Sequence, residues 1–479
     1  MKIILIILAI ILLLLIIAII KTLSVKTKEN YYEYSKDTKR VDDYANKLSR
    51  LIQYETVSVS GKPDPDKFRG FHKVLEQEFP LVFRALEKID IDGNLLMKWK
   101  GEDSSLDPII LTSHQDVVEA SGDWKYPPFS GTIAEGKVWG RGTADIKCGI
   151  FAFYEAVEEL IKAGYRPKCD VYLGSSCTEE IGGDGAPKLA KYFKDKGINL
   201  YLLSDEGGAI AMNPFPGVNG YFAAIGIFEK GYGDIKFSAK GNGGHSSSPT
   251  KGTPIAKLAK FINYVENHNP FTVKFSPAVR GMFESLAPYC TNFALKVIMC
   301  NLWLFEPVLK LVLPMISAEA AAMLKTTCVF TTQKGSDGYN VIPQEAYVTA
   351  NLRYIPHENM EASNKKIIDI ANKFNLESKI IVSNPSSSEL DLNGPQYKQV
   401  VDVTKKVFPG IGIMPYVVTG GTDSRFYEGV CKNCVRFSPV IFGPEQLSGM
   451  HGLNECIETG CLPGAVDFFK ELIKIQESR

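Results

Sequence analysis

The chain has 479 residues, 45% of them hydrophobic and 23% charged, which are the proportions of a folded globular protein and exclude disorder as its main state. Fifty-four basic residues balance fifty-four acidic ones, so no net field favours a polyanion, and no nucleic-acid partner is expected. Histidine is scarce, at positions 72, 114, 245, 268, 357 and 451 only, so any imidazole chemistry draws on a short set.

Residues 3–20 are eighteen consecutive apolar residues without a charge. As a helix they span about 27 Å, close to the hydrocarbon thickness of a bilayer. A single transmembrane anchor over residues 1–22 is expected in preference to a cleaved leader, because Leu23-Ser24-Val25 offers no Ala-x-Ala-like site. Lys2 stands against Lys21, Lys26 and Lys28, a near balance that assigns no side of the membrane to the body. Residues 23–43 read as a polar, tyrosine-containing stalk. Ten scattered cysteines, Cys431 and Cys434 among them, read as free or incidentally bridged, since a chain this long needs no disulfide staples.

From residue 44 short apolar runs end in polar or acidic residues: Ile109–Leu111 before Thr112-Ser113-His114, Asp170–Ser175 before Cys177-Thr178-Glu179-Glu180, and Leu200–Ser204 before Asp205-Glu206. Such runs read as buried strands. With the helical stretches Gly149–Ala163 and Ala186–Lys196 between them, they predict an α/β fold with a largely parallel sheet and a site at the strands' carboxyl ends. Near Phe228 the pattern changes to polar/apolar alternation, as in Asp234–Ala239 and Ala346–Tyr354, with amphipathic stretches Ile255–Asn267 and Met360–Phe374. An α+β domain inserted over 228–387 is therefore expected, with the first domain running from 44 to 227 and resuming over 388–479. The apolar stretch 282–325 within the insertion reads as two or three helices covering a core or a subunit interface, with membrane association as the alternative.

Asp116 follows His114 at a spacing that lets a carboxylate fix a ligating imidazole. Gly140, Gly142 and Gly149 flank Asp145, but no Gly-Lys-Ser/Thr ending follows, which argues against a phosphate loop. Adjacent carboxylates, as at Glu179-Glu180 and Asp205-Glu206, repel unless a cation or a proton lies between them. Each cluster alone reads equally well as a solvated loop. All of them at successive strand ends, with Thr419–Arg425 and Ser448–Glu455 (containing His451) downstream, point to a metal centre.

These motifs, in this order from residue 44 to the carboxyl end, resemble the di-zinc aminoacylase/carboxypeptidase superfamily of metallopeptidases, peptidase family M20. The anchor and the apolar stretch resemble the carboxypeptidase S and N-acyl-amino-acid hydrolase branch. The resemblance implies a zinc-exopeptidase-like catalytic domain with an inserted lid and dimerisation domain, and two Zn²⁺, with Co²⁺ or Mn²⁺ compatible. It implies that His114 and Asp205, the latter in preference to Glu206, hold one zinc, that Asp145 bridges, and that Glu180 and His451 hold the second. It further implies that Asp116 orients His114, that Glu179 is the general base, and that His245, Asn340 and Arg353 bind substrate, His245 often across a homodimer. The activity implied is hydrolysis of an amide bond next to a C-terminal amino acid in a small peptide. N-fatty-acyl-amino-acid hydrolysis or synthesis is the alternative, and a non-catalytic peptide-binding relative a third reading. His72, His268 and His357 read as structural.

Overall fold

A computed structural model describes residues 2–479 and contains two principal sheets with separate cores, besides two small ones of two and three strands. The larger has ten strands. From one edge the order is Glu87–Ile91, Asn94–Trp99, Val171–Ser175, Ile109–Thr112, Leu202–Asp205, Cys434–Arg436, Tyr221–Glu229, Ile210–Met212 and Ile441–Phe442, with Gly412–Val418 also paired to Tyr221–Glu229. The four strands at its centre, Val171–Ser175 to Cys434–Arg436, run parallel. Antiparallel pairing enters on either side, so the sheet is mixed where a largely parallel one was expected.

Every residue of Ile109–Thr112, Val171–Ser175 and Leu202–Asp205 is buried, because helices cover both faces. Leu111, Leu173 and Leu202 pack into the core that contains Phe151, Phe153 and Phe469, from helices Cys148–Lys162 and Leu462–Lys474. Ile110, Tyr172 and Leu203 point the other way, onto Leu189 and Phe193 of helix Gly185–Asp195. The two-residue period of a strand does this sorting.

The smaller sheet has four antiparallel strands in the order Thr327–Lys334, Glu345–Tyr354, Gly231–Lys240 and Glu377–Asn384. Helices Pro254–Asn267 and Met360–Lys373 bury Phe261, Ile367 and Ala371 with its Ile235, Phe237 and Leu352. The chain crosses from one sheet to the other at Lys230. It returns where Ser387 N–H donates to Glu229 O and Leu390 N–H to Ile227 O.

The apolar stretch 282–325 does not join the smaller sheet's core. It lies within helices Pro277–Leu286, Phe293–Cys300, Leu302–Ile316 and Ala318–Leu324, whose Phe283, Leu286, Met299, Leu302 and Leu313 pack into the larger core. The reason is bulk. Gly281 lies so close to Pro415, on a strand of the larger sheet, that a Cβ would come within 2.9 Å of its ring.

The segment expected as a stalk is held to the body. Asn30 Nδ2 donates to Tyr221 O at 2.6 Å, Tyr31 N–H donates to Gly410 O, and Tyr32 stacks on Phe408. Helix Lys2–Ser24 precedes it, apolar and exposed along nearly its whole length. Among the described residues all ten cysteines are free.

Candidate metal centre

Because the central strands are parallel, their carboxyl ends deliver three loops to one place. His114 stands two residues past Ile109–Thr112, Glu179 and Glu180 four and five past Val171–Ser175, and Glu206 directly after Leu202–Asp205. One side-chain donor atom each from His114, Glu179 and Glu206 lie within 4.8 Å of one another, and so do those of His114, Asp145 and Glu180.

Asp145 is the hub. Its Oδ1 lies 3.1 Å from His114 Nε2 and its Oδ2 3.0 Å from His451 Nε2. Glu180 Oε2 is 2.9 Å from the same His451 nitrogen. The turn that presents Asp145 is built around the buried carboxylate of Glu455. Glu455 Oε1 accepts the N–H groups of Ala144 and Asp145, and Oε2 accepts Gly142 N–H and pairs with Arg141 Nη1 at 2.5 Å. Arg141 Nη2 also donates to Gly452 O, one residue past His451. Strand pairing of Trp139 with Cys456 brings these segments together. Gly142 has a φ of 88°, and a Cβ there would meet Val117 at 2.7 Å, so close packing of the turn, more than ligand approach, requires glycine.

Asp116 acts on His114 differently from the expectation. His114 Nδ1 donates to the Asp116 backbone carbonyl at 2.9 Å, while the carboxylate stands at 3.5 Å. That carboxylate instead accepts the N–H groups of Glu179 and Glu180, both at 3.1 Å, and the Ser58 hydroxyl at 2.7 Å. Asp116 therefore holds the two-glutamate loop as well as the imidazole.

The expected pairing of Asp205 with His114 is not what the fold produces. Asp205 is the last residue of its strand and points to the same side as Leu203, where Oδ2 accepts Ser424 N–H at 2.8 Å. Glu206, on the opposite side, puts Oε1 3.4 Å from His114 Nε2. Asp423, near enough to Glu179 for the two charges to repel, accepts a hydrogen bond from Ser176 Oγ.

His245, Asn340 and Arg353 stand outside this cluster. His245 is exposed on a short strand pair, Gly244–His245 with Val341–Ile342, and Ser246 N–H donates to Asn340 O. Arg353, on strand Glu345–Tyr354, lies over the Tyr232 ring at 4.8 Å. Burial lowers the pKa of its guanidinium, and so does Arg425 of the larger unit, which lies close enough to repel it. His72, His268 and His357 lie away from this cluster, where they meet Gln115, Tyr264 and Thr272.

The donor set fits divalent metal. Burial pushes Glu206 up to about 8 despite the neighbouring His114, and pushes Glu179 well above the carboxylate range. Burial opposes charge on His114, but Glu206, Asp116 and Asp145 outweigh it and hold its pKa well above normal. Hydrogen bonds that His451 donates to the Asp145 and Glu180 carboxylates take its pKa up to about 10. Buried carboxylates this close together repel, and a cation between them would relieve that repulsion. Glu180 Oε1 is buried with no hydrogen-bond partner at all. Oxygen and imidazole donors in this arrangement suit Zn²⁺.

Comparison with known proteins agrees with this chemistry. The profile of peptidase family M20/M25/M40 matches residues 110–475. The chain is 34% identical to the probable carboxypeptidase S-like 2 of Dictyostelium discoideum, over 91% of this chain and 85% of that one. It is 31% identical to the human N-fatty-acyl-amino acid synthase/hydrolase PM20D1, over 89% and 86%. The fold matches the M20 family metallo-carboxypeptidase Sso-CP2 of Sulfolobus solfataricus with a TM-score of 0.65 at 17% identity, covering 91% of this chain and 99% of that one. It matches human carnosine dipeptidase 1 with a TM-score of 0.63 at 16% identity, covering 93% and 100%. The chain belongs to the M20/M25/M40 peptidase family and is a hydrolase of amide bonds.

Proposed function

We propose that the protein is a di-zinc carboxypeptidase or dipeptidase that cleaves the amide bond before a C-terminal amino acid. The observation that carries this reading is Asp145, with one carboxylate oxygen directed at His114 and the other at His451. On this reading His114, Asp145 and Glu206 would hold one ion, and Asp145, Glu180 and His451 the other. Two divalent ions there would supply Lewis-acid activation of a water and of the scissile carbonyl. Glu179 takes a proton from the attacking water and delivers it to the leaving nitrogen. Its high pKa suits the second step, and Asp116 keeps its backbone in position. Arg353 offers a planar fork to the substrate carboxylate. Asn340 joins Arg353 at that carboxylate, His245 polarises the scissile carbonyl, and the exposure of His245 supports its being supplied to the centre of a second copy. Helix Lys2–Ser24 anchors the chain in a membrane; it is the single described helix long and apolar enough to do so unbroken.

N-fatty-acyl-amino-acid hydrolysis or synthesis is the second reading. Besides the relatives named for that activity, a cleft of ≈ 780 Å³ favours it, in which Val57, Phe68, Cys177 and Ile181 line the wall together with charged side chains such as Lys62, Lys67 and Lys188, bordering the Glu179–Glu180 loop.

Glu179→Gln tests the shared mechanism. Turnover should fall by about 10²–10⁴-fold while zinc content, measured by mass spectrometry, stays near two per chain. Retained turnover would move the base elsewhere. Wild-type rates on a Gly-Xaa dipeptide and on an N-long-chain-acyl amino acid decide between the two substrates.

A further inference from the structure

Helices Phe293–Cys300 and Leu302–Ile316 meet at a bend of 107° with Asn301 buried at the corner. Asn301 Nδ2 donates to Ala18 O at 3.0 Å and lies 3.1 Å from Thr22 Oγ1. Ala18 and Thr22 are the buried residues of the N-terminal helix, so this is where that helix meets the body. Lys296 Nζ adds a hydrogen bond to Thr27.

The second helix of the pair is two-faced. Leu302, Glu306 and Leu313 are buried, whereas Val308, Leu311, Met315 and Ile316 form a stripe at helical spacing on the outside. Leu311 is 72% exposed, Met315 84% and Ile316 71%. The helix has two charged residues, Glu306 and Lys310, and they pair with each other at 2.7 Å, with Arg280 completing the network. The outer face thus carries no charge, and Phe293 and Trp303 extend it around the bend. A contiguous apolar face of this kind is not left to water.

We infer that this helix pair is a second, monotopic membrane contact, with the Leu302–Ile316 stripe immersed in the leaflet that faces the protein body. A bilayer is favoured over a second copy by continuity. The patch adjoins the exposed apolar surface of helix Lys2–Ser24, at the end of that helix where Lys21, Lys26 and Lys28 begin, suited to the headgroup level. With residues 3–20 in the hydrocarbon, contacts at Ala18 and Thr22 set the bend at the acyl–headgroup boundary, the depth at which such helices lie. The depth argument rests on the proposed span; the lipid contact itself does not.

The full-length chain, reconstituted into phosphatidylcholine vesicles with or without acyl-chain-brominated lipid, tests this. The readout is the tryptophan emission that Trp303→Phe removes. Brominated lipid should quench more than half of it, and Leu311→Asp with Met315→Asp should cut that quenching several-fold. Resistance to alkaline extraction reports the span separately. Extraction-resistant protein with unquenched Trp303 overturns the lipid contact and leaves the span standing. Quenching in protein that alkali extracts upholds the contact and removes the span. Neither signal removes both. Unquenched Trp303 together with a dimer that the double substitution dissociates overturns the proposal in favour of a face between copies.

Discussion

Asp205 and Glu206 are chain neighbours with different tasks. Asp205, at the end of a fully buried strand, binds Ser424 N–H, and Glu206, one residue on, faces His114. Glu206→Ala is therefore expected to lose about one zinc per chain. Asp205→Asn, which keeps an acceptor for Ser424, should retain both. Metal analysis of the two purified variants compares them directly, and the reverse pattern would return Asp205 to the ligand set. Alternation along a strand assigns the sides, but only the observed strand end shows which of two consecutive acids has left the sheet. Adjacent letters in the sequence do not carry that information. Asp116 is a similar case. Its nearness to His114 is readable from the spacing, whereas its three-way hold on Glu179, Glu180 and Ser58 depends on loops 58 and 63 residues away.

At the scale of elements, helix Pro65–Glu78 shows what burial does to a group outside the site. Its His72 is enclosed, with Nε2 3.1 Å from Gln115 Oε1, and burial lowers its pKa to about 4. The unfolded chain would bind that proton near pH 6.5, so between pH 6.5 and 4 the unfolded state holds more protons than the native one. Stability should consequently fall on acidification through that window, by about 3 kcal/mol for this group when complete. Urea unfolding across pH 7 to 4 should show a shallower decline in His72→Gln, and equal declines would refute the assignment. The buried strands and their covering helices were legible because unbroken apolar runs have few other folds available. The Glu455 carboxylate that builds the Asp145 turn was not, although it ends the same segment as His451. Its partners lie 310 to 314 residues away, and an acid beside asparagine and cysteine carries no local sign of burial.

For the whole molecule, the relation between the two sheets sets the proposed substrate site. Arg353 belongs to the smaller sheet, yet Arg425 beside the larger one is near enough to repel it, so an anion bound at Arg353 would relieve that repulsion. Arg353→Ala is expected to raise KM about 10–100-fold for substrates with a free carboxylate and leave amidated ones nearly unchanged. Equal losses on both would deny it the carboxylate.

The sequence by itself determined the class of fold, the family, the strand-end acids and histidines, and an N-terminal helix apolar enough for a bilayer. These are local properties, written in runs of apolar residues and in motifs a few residues long. Tertiary structure alone decided that Glu206 rather than Asp205 faces His114, that Glu455 and Arg141 lock the Asp145 turn to the His451 loop, and that residues 23–43 lie against the body. It also carried the apolar stretch 282–325 away from the sheet that surrounds it in sequence, onto the larger core and the N-terminal helix. Each of these is a meeting of segments far apart in the chain, and a side chain's partner across such a distance is chosen by packing, which no short stretch of sequence contains.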